Sequence, residues 1–196
     1  MKNILFTIIL VFALSVFANA QNSLFSFNYS VTVPLGNTSD FIDQVSGRGF
    51  IFEYQKFIDP HWAIGIEAGH TTLYKREGEK VYSEGTASLS GIQYRYQYSW
   101  PILATANYYA LRTGLIRPYA GVGIGTMASQ RKIDMGIFRS DKTHWQFAIK
   151  PEVGTLIQPN PNMAFRIGAK YLMGIESSDL VGQSNLNFSF GIVFIN

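Results

Sequence analysis

From Ser23 onward, apolar and polar residues alternate. In SLFSFNYSVTV, Phe25, Phe27, Tyr29, Val31 and Val33 share one parity, while Ser26, Asn28, Ser30 and Thr32 share the other. A period of two puts successive side chains on opposite faces, so the run reads as a β-strand with one apolar face. Seven more runs come after it. Phe50, Phe52 and Tyr54 oppose Ile51, Glu53 and Gln55; Trp62, Ile64, Ile66 and Ala68 oppose Ala63, Gly65, Glu67 and Gly69. Tyr94, Tyr96, Tyr98, Trp100 and Ile102 oppose Arg95, Gln97, Ser99, Pro101 and Leu103, and Ala120, Val122 and Ile124 oppose Gly121, Gly123 and Gly125. The last three set Trp145, Phe147, Ile149 and Val153 against Gln146, Ala148, Lys150 and Glu152; Phe165, Ile167, Ala169 and Tyr171 against Arg166, Gly168 and Lys170; and Phe188, Phe190, Ile192 and Phe194 against Ser189, Gly191 and Val193.

The connections alternate too. Asp59-Pro60, Arg112-Thr113-Gly114 and Pro159-Asn160-Pro161-Asn162 are short and rich in turn formers. The other four are longer and polar, for example Lys75 to Gly91. Short turns at one end and long loops at the other predict an all-β fold: an eight-stranded antiparallel up-and-down transmembrane β-barrel, its turns periplasmic and its loops extracellular.

A soluble barrel would put the apolar face inside, so the polar face decides between the two architectures. That face is mostly Gly, Ser, Ala, Thr and Asn, whereas a water-facing wall would be rich in Lys and Glu. All of Glu53, Glu67, Arg95, Lys150, Glu152, Arg166 and Lys170 fall on it. A cation on the lipid face at mid-bilayer costs about 2–4 kcal/mol. The charges therefore point into the lumen, and the large aromatic face meets lipid. Lys56 has the lipid-facing parity, at a strand end where its stem can snorkel to the interface.

Composition agrees with an apolar exterior. Charged residues are 15% of the chain, against about 25% in an average soluble domain. The formal net charge is +3, one unit of it from Lys2, and it is too small and dispersed for a nucleic-acid partner. At the N-terminus, Lys2, the apolar run Ile4 to Phe17, and Ala18-Asn19-Ala20 predict a cleaved signal peptide over residues 1–20 and a barrel domain over 21–196. There is no cysteine, hence no disulfide and no lipid-anchoring site.

Gly123, Gly125 and Ala128 spell G-x-G-x-x-A, the pattern of a dinucleotide-binding loop. That motif needs a helix directly after it, but Ala128 leads into the polar run SQRKIDMGIF. The glycines instead share the lumen parity, where they leave room for bulky residues such as Arg95, Arg166 or Tyr109 in a barrel just wide enough to be filled. Pro101 and Pro151 lie within predicted strands, where each removes a ladder donor, so bulges or bends are expected there.

RPYAGVGIG (Arg117 to Gly125), SWPILATANYY (Ser99 to Tyr109) and the ending NFSFGIVFIN resemble the small outer-membrane barrel families around OmpA, OmpX and OmpW. The resemblance implies an OmpA-like barrel domain in the outer membrane of a Gram-negative-type cell. No peptidoglycan-binding segment comes after the eighth run, so cell-wall tethering is not implied. The chain ends on Asn196, with Phe194 expected in place of the terminal aromatic that such barrels commonly carry.

Two constellations could carry chemistry. The seven lumen charges (Glu53, Glu67, Arg95, Lys150, Glu152, Arg166 and Lys170) are expected to pair, because isolated charges in a packed interior are costly. All but Arg95 lie near mid-barrel depth, and Arg95 lies nearer the loops. They read as a polar plug, or as a gate in which Glu53 or Glu152 exchanges partners between Arg166 and Lys170, as the resemblance to OmpA-like barrels implies. The second is His70-Thr71-Thr72: His70 and Thr72 share the lipid-facing parity near the loop end. Lipid A deacylases resembling PagL use a lipid-facing His-x-Ser pair with a carboxylate. Here Thr replaces Ser and no carboxylate shares that face nearby, so a catalytic site is not expected. His61 and His144 sit near strand ends on opposite sides, and no metal site or cofactor is expected.

The expected function is a structural one. The barrel sits in outer-membrane lipid, its polar lumen filled, and offers four extracellular loops to an extracellular or envelope protein partner. A narrow, porin-like channel for ions or small apolar solutes is the first alternative. A lipid A-modifying enzyme and a subunit of an export apparatus are the others.

Overall fold

A computed structural model describes residues 23–84, 87–136, 138–175 and 181–196. The expected signal peptide, residues 1–20, lies outside them. The strands are β1 (Ser23–Leu35), β2 (Ser46–Phe57), β3 (Trp62–Glu84), β4 (Ala87–Tyr109), β5 (Ile116–Met135), β6 (Phe138–Asn160), β7 (Met163–Gly174) and β8 (Gln183–Ile195), with one short helix, α1 (Asn37–Phe41), after β1. Each strand pairs antiparallel with its sequence neighbour, and β8 pairs with β1 from Leu24↔Ile195 to Leu35↔Ser184, closing the barrel in order β1 to β8. Closure removes every edge within the membrane, as hydrocarbon requires.

The barrel is inside-out. Phe27, Ile66, Ile124, Phe147, Val153, Phe190 and their same-parity neighbours are exposed on the outer wall, while Asn28, Glu53, Gln97, Asn107, Lys150, Arg166 and Lys170 are buried within. Lys56 is exposed on the outer wall beside the periplasmic turn, as its parity predicts.

The three short connections are tight turns. Ile58 donates its backbone N–H to the Trp62 carbonyl (2.9 Å) and Ala110 to that of Pro118 (2.9 Å), while in the third turn Met163 donates its backbone N–H to Asn160 Oδ1 (2.9 Å). Gly114 adopts φ +125° in the second turn, a backbone conformation that side-chain-bearing residues rarely take.

The long connections differ from expectation. Most of Lys75 to Gly91 is not loop: β3 and β4 continue as a hairpin to Glu84↔Ala87. SQRKIDMGIF likewise contains the paired ends of β5 and β6, out to Met135↔Phe138. Pairing of β3 with β2 ends at Gly49↔Thr71, and pairing of β6 with β7 ends at Ala148↔Gly174. Beyond that rim, β3 to β6 project as a four-stranded sheet. At its base Leu73, Gln93 and Gln97 stay buried on the inner face, whereas Arg139 to Thr143 are exposed at both parities, so toward the tip the sequence loses the apolar–polar contrast that marks a wall strand.

The prolines also depart from expectation. Register is unchanged on both sides of Pro101 and of Pro151. The shifts lie elsewhere, at Ser30/Thr32, Glu77/Lys80 and Ile157/Asn160. A proline can sit in a closed wall without a bulge when its strand keeps pairing on the other side. Pro101 does so opposite Met127, and Pro151 opposite Val122.

Candidate functional site

Lumen side chains stack in layers. At the periplasmic end Leu24, Ala63, Tyr109, Tyr119, Leu156, Ala164 and Val193 form an apolar cluster, with Phe57 and Ile195 against it. Arg117 closes it from below. Its guanidinium lies 5.4 Å from the Phe57 ring centroid and 5.3 Å from that of Tyr109, and it donates to the Leu111 carbonyl and to Gln158 Oε1 (both 3.1 Å).

Above lies the ion cluster. Glu53 and Glu67 sit directly opposite each other on β2 and β3, a like-charge pairing that destabilises a sheet unless it is compensated. The compensation comes from the far wall. Lys170 Nζ is 2.6 Å from Glu67, 3.3 Å from Glu152 and 3.9 Å from Glu53, while Lys150 Nζ is 2.5 Å from Glu67 and 2.8 Å from Glu152. Arg166 pairs with Glu53, donates to Tyr109 Oη (2.8 Å) and Gln55 Oε1 (3.2 Å), and lies over the Tyr119 ring at 4.9 Å. Tyr109 in turn donates to Gln55 Oε1 (2.8 Å), and Glu53 also accepts from Gln55 and Asn107. The three carboxylates are matched by Lys150, Arg166 and Lys170, so the cluster is charge-neutral and internally paired.

Over it sits a second apolar layer, Leu103, Met127, Ala148 and Leu172. Next come amides and hydroxyls: Gln97 Nε2 (2.9 Å) and Ser129 Oγ (3.1 Å) both donate to Gln183 Oε1. At the extracellular mouth, Phe41 of α1 lies between two guanidinium groups, Arg131 at 4.8 Å and Arg95 at 5.5 Å. Arg131 donates to Gln97, and Arg95 to Gln93 and to the Phe41 carbonyl.

Six of the seven predicted charges therefore meet, and Arg95 does not. Its parity is right, but its height sets it against α1. The glycine expectation is corrected in its partners as well. A side chain at Gly121 would meet Asn107, one at Gly123 would meet Leu103 and Lys150, and one at Gly125 would meet the β4 backbone; none would meet Arg95, Arg166 or Tyr109. The close-packed glycines around an aromatic are instead Gly154 and Gly168, where an added Cβ would lie 2.7 Å and 2.9 Å from the Tyr119 hydroxyl. Gln55, Asn107, Tyr109 and Tyr119 complete the network. Their parity marks them as lumen residues, but parity says nothing of their partners.

His70 Nε2 lies 3.0 Å from Thr72 Oγ1 on the outer wall, among Phe50, Tyr98 and Trp100, and its buried Nδ1 makes no hydrogen bond that would orient the ring as a base. Among the described residues no group of His, Cys, Asp and Glu is placed to hold a metal ion.

Outside the bilayer, the pKa values of Asp59 and Lys75 are displaced from their ordinary values. At the first periplasmic turn, the Asp59 carboxylate accepts the backbone N–H of His61 (2.7 Å) and of Trp62 (2.8 Å), which holds its pKa below the usual value. At the extracellular side, Glu77 (2.7 Å) and Asp43 (3.1 Å) hold the Lys75 ammonium above its usual pKa.

The outer membrane protein beta-barrel domain model matches residues 6–194. Among solved structures, Neisserial surface protein A superposes with a TM-score of 0.59 at 12% identity, covering 88% of this chain and 96% of that one. OprG of Pseudomonas aeruginosa gives 0.56 at 12% identity, covering 90% and 97%. Ail of Yersinia pestis, in a complex with the heparin analogue sucrose octasulfate, gives 0.50 at 16% identity, covering 89% and 96%. No curated protein matches by sequence.

Proposed function

Since the chain belongs to the outer membrane protein β-barrel domain family of Gram-negative bacteria, we propose that it is an integral scaffold with a sealed lumen, whose projecting β3–β6 sheet presents the surface for a partner outside the cell. One observation carries this reading: a neutral, internally paired ion cluster lies between two apolar layers. An ion crossing such a lumen would shed its hydration at each apolar layer and break pairs between them. Both steps are expensive.

A second reading, a narrow gated channel, draws on the reach of Lys170 to all three carboxylates, which gives the cluster alternative pairings. Conductance of the protein in a planar lipid bilayer, beside a Glu53→Ala variant, separates the two. Silence from inserted protein is expected. Discrete openings that change in the variant would replace the scaffold with a gated pore. Catalysis at His70 has weaker support, because the His70–Thr72 pair lacks an orienting third group.

A further inference from the structure

The outer wall does not end at the membrane rim over β3, β4 and β5. One row of its residues, Trp100, Ala128 and Trp145, lies side by side through Trp100↔Ala128↔Trp145. The row below it is apolar or small, Ala68↔Ile102↔Thr126↔Phe147. Paired tryptophans above an apolar row mark the hydrocarbon–headgroup boundary.

Above that boundary the aromatics continue instead of stopping. Tyr98 lies 6.0 Å from Trp100 with ring planes 20° apart, and Tyr96 lies 6.3 Å from Tyr98 with planes parallel. Tyr74 joins Tyr96 at 5.1 Å and Tyr94 at 6.5 Å. From Trp100 to Tyr94 the ladder climbs about 20 Å along β4 at the usual strand rise. Lipid-facing girdles occupy the interface and have no reason to extend that far above it.

The flank of the ladder is polar and nearly balanced. Gln130 neighbours Tyr98, Lys132 neighbours Tyr96, and Asp134 neighbours Tyr94. Gln130 donates to both oxygens of Asp141 (2.9 and 3.0 Å), and Asp134 pairs with Arg139 (2.7 Å) and Lys132 (3.7 Å). Arg76, across from Tyr94, is exposed. Three cations against two carboxylates is no phosphate cluster. Stacked rings bordered by amide, carboxylate and guanidinium groups suit the apolar faces and hydroxyl edges of sugar rings.

We propose that this ladder binds the saccharide headgroup of a glycolipid standing in the outer leaflet of the same membrane. The proposal rests on the projecting-sheet reading and names the partner class of one face of that sheet. Continuity selects the source. A glycolipid with its acyl chains against Ile102 and Phe147 would pass its linkage at the Trp100–Trp145 row and bring its sugars against Tyr98, Tyr96, Tyr74 and Tyr94.

The test uses the whole protein reconstituted in phosphatidylcholine vesicles that contain spin-labelled phosphatidylcholine as tryptophan quencher. The vesicles are doped either with lipid A lacking core sugars or with rough lipopolysaccharide carrying them. Relief of quenching reports occupation of the wall. The sugar-bearing lipid is expected to be favoured, and Tyr96→Ala with Tyr98→Ala to reduce that preference roughly tenfold, since each aromatic contact is modest. Tyr96→Phe with Tyr98→Phe should keep the preference, as should Tyr108→Ala, exposed on the outer wall opposite Trp62 beside the first periplasmic turn. If the alanine pair does not fold, the comparison of lipid A with lipopolysaccharide on the native protein still decides. Equal occupation by lipid A and lipopolysaccharide would overturn the proposal, and so would a preference indifferent to the alanine pair. Competition by free core oligosaccharide at equal concentration would also overturn it, moving the ligand from the leaflet to a soluble glycan. Conductance of the same vesicles, fused to a planar bilayer, reports separately on the sealed lumen.

Discussion

Lys170 Nζ lies 2.6 Å from Glu67 Oε2, although β7 and β3 stand on opposite walls of the barrel. The contact spans the lumen and makes one lysine the counter-ion of carboxylates on β2, β3 and β6. Removing it leaves three buried carboxylates with two cations. Lys170→Met should therefore destabilise the barrel by about 3–5 kcal/mol, read as a lower urea midpoint for unfolding from lipid vesicles. Glu67→Gln in the same chain should restore much of the loss, because the charge count is again even.

The Tyr119 ring of β5 reaches over Gly154 on β6 to Gly168 on β7, where neither glycine leaves room for a side chain. A methyl at Gly168 would contact its hydroxyl first. Gly168→Ala should cost about 1–3 kcal/mol through overpacking. Tyr119→Phe in the same chain should recover part of that. Urea unfolding of the two single variants and the double variant checks the coupling.

Phe41 holds α1 over the extracellular mouth through Arg95 and Arg131. Phe41→Ala removes two cation–π contacts worth about 0.5–1 kcal/mol each when exposed. Hydrogen exchange at residues 37–42 should accelerate several-fold while the wall strands stay protected.

Asp59 should give the first periplasmic turn a signature at acid pH. Its folded pKa is depressed by the His61 and Trp62 amides. Its contribution is thus fully present above the ordinary value of about 3.9 and is lost as pH falls through the lower folded value. Asp59→Ala should lower the urea midpoint at neutral pH and make no difference once the pH is well below the folded value.

Alternation was legible residue by residue. It placed Phe27 and Phe190 outside, Glu53 and Arg166 inside, and separated short turns from long connections. It did not show where β3 to β6 end, because Lys75 to Gly91 and SQRKIDMGIF leave the bilayer, and a strand wet on both faces carries no burial period. Nor did it anticipate that Pro101 and Pro151 keep their register, since a closed wall lets each strand pair on its other side.

The sequence by itself determined the fold, the direction each side chain faces and the chemistry of the lumen, because a hydrocarbon exterior forbids charge and a period of two admits only two faces. Only the tertiary structure decided which charges meet. Arg95 and Arg166 share a face. Counting from the short turns already put Arg95 nearer the loops, but only the closed barrel brings it to Phe41 and sets Arg166 against Glu53 and Tyr109. Which strands face each other across the lumen comes from register and shear, which no single strand's pattern contains.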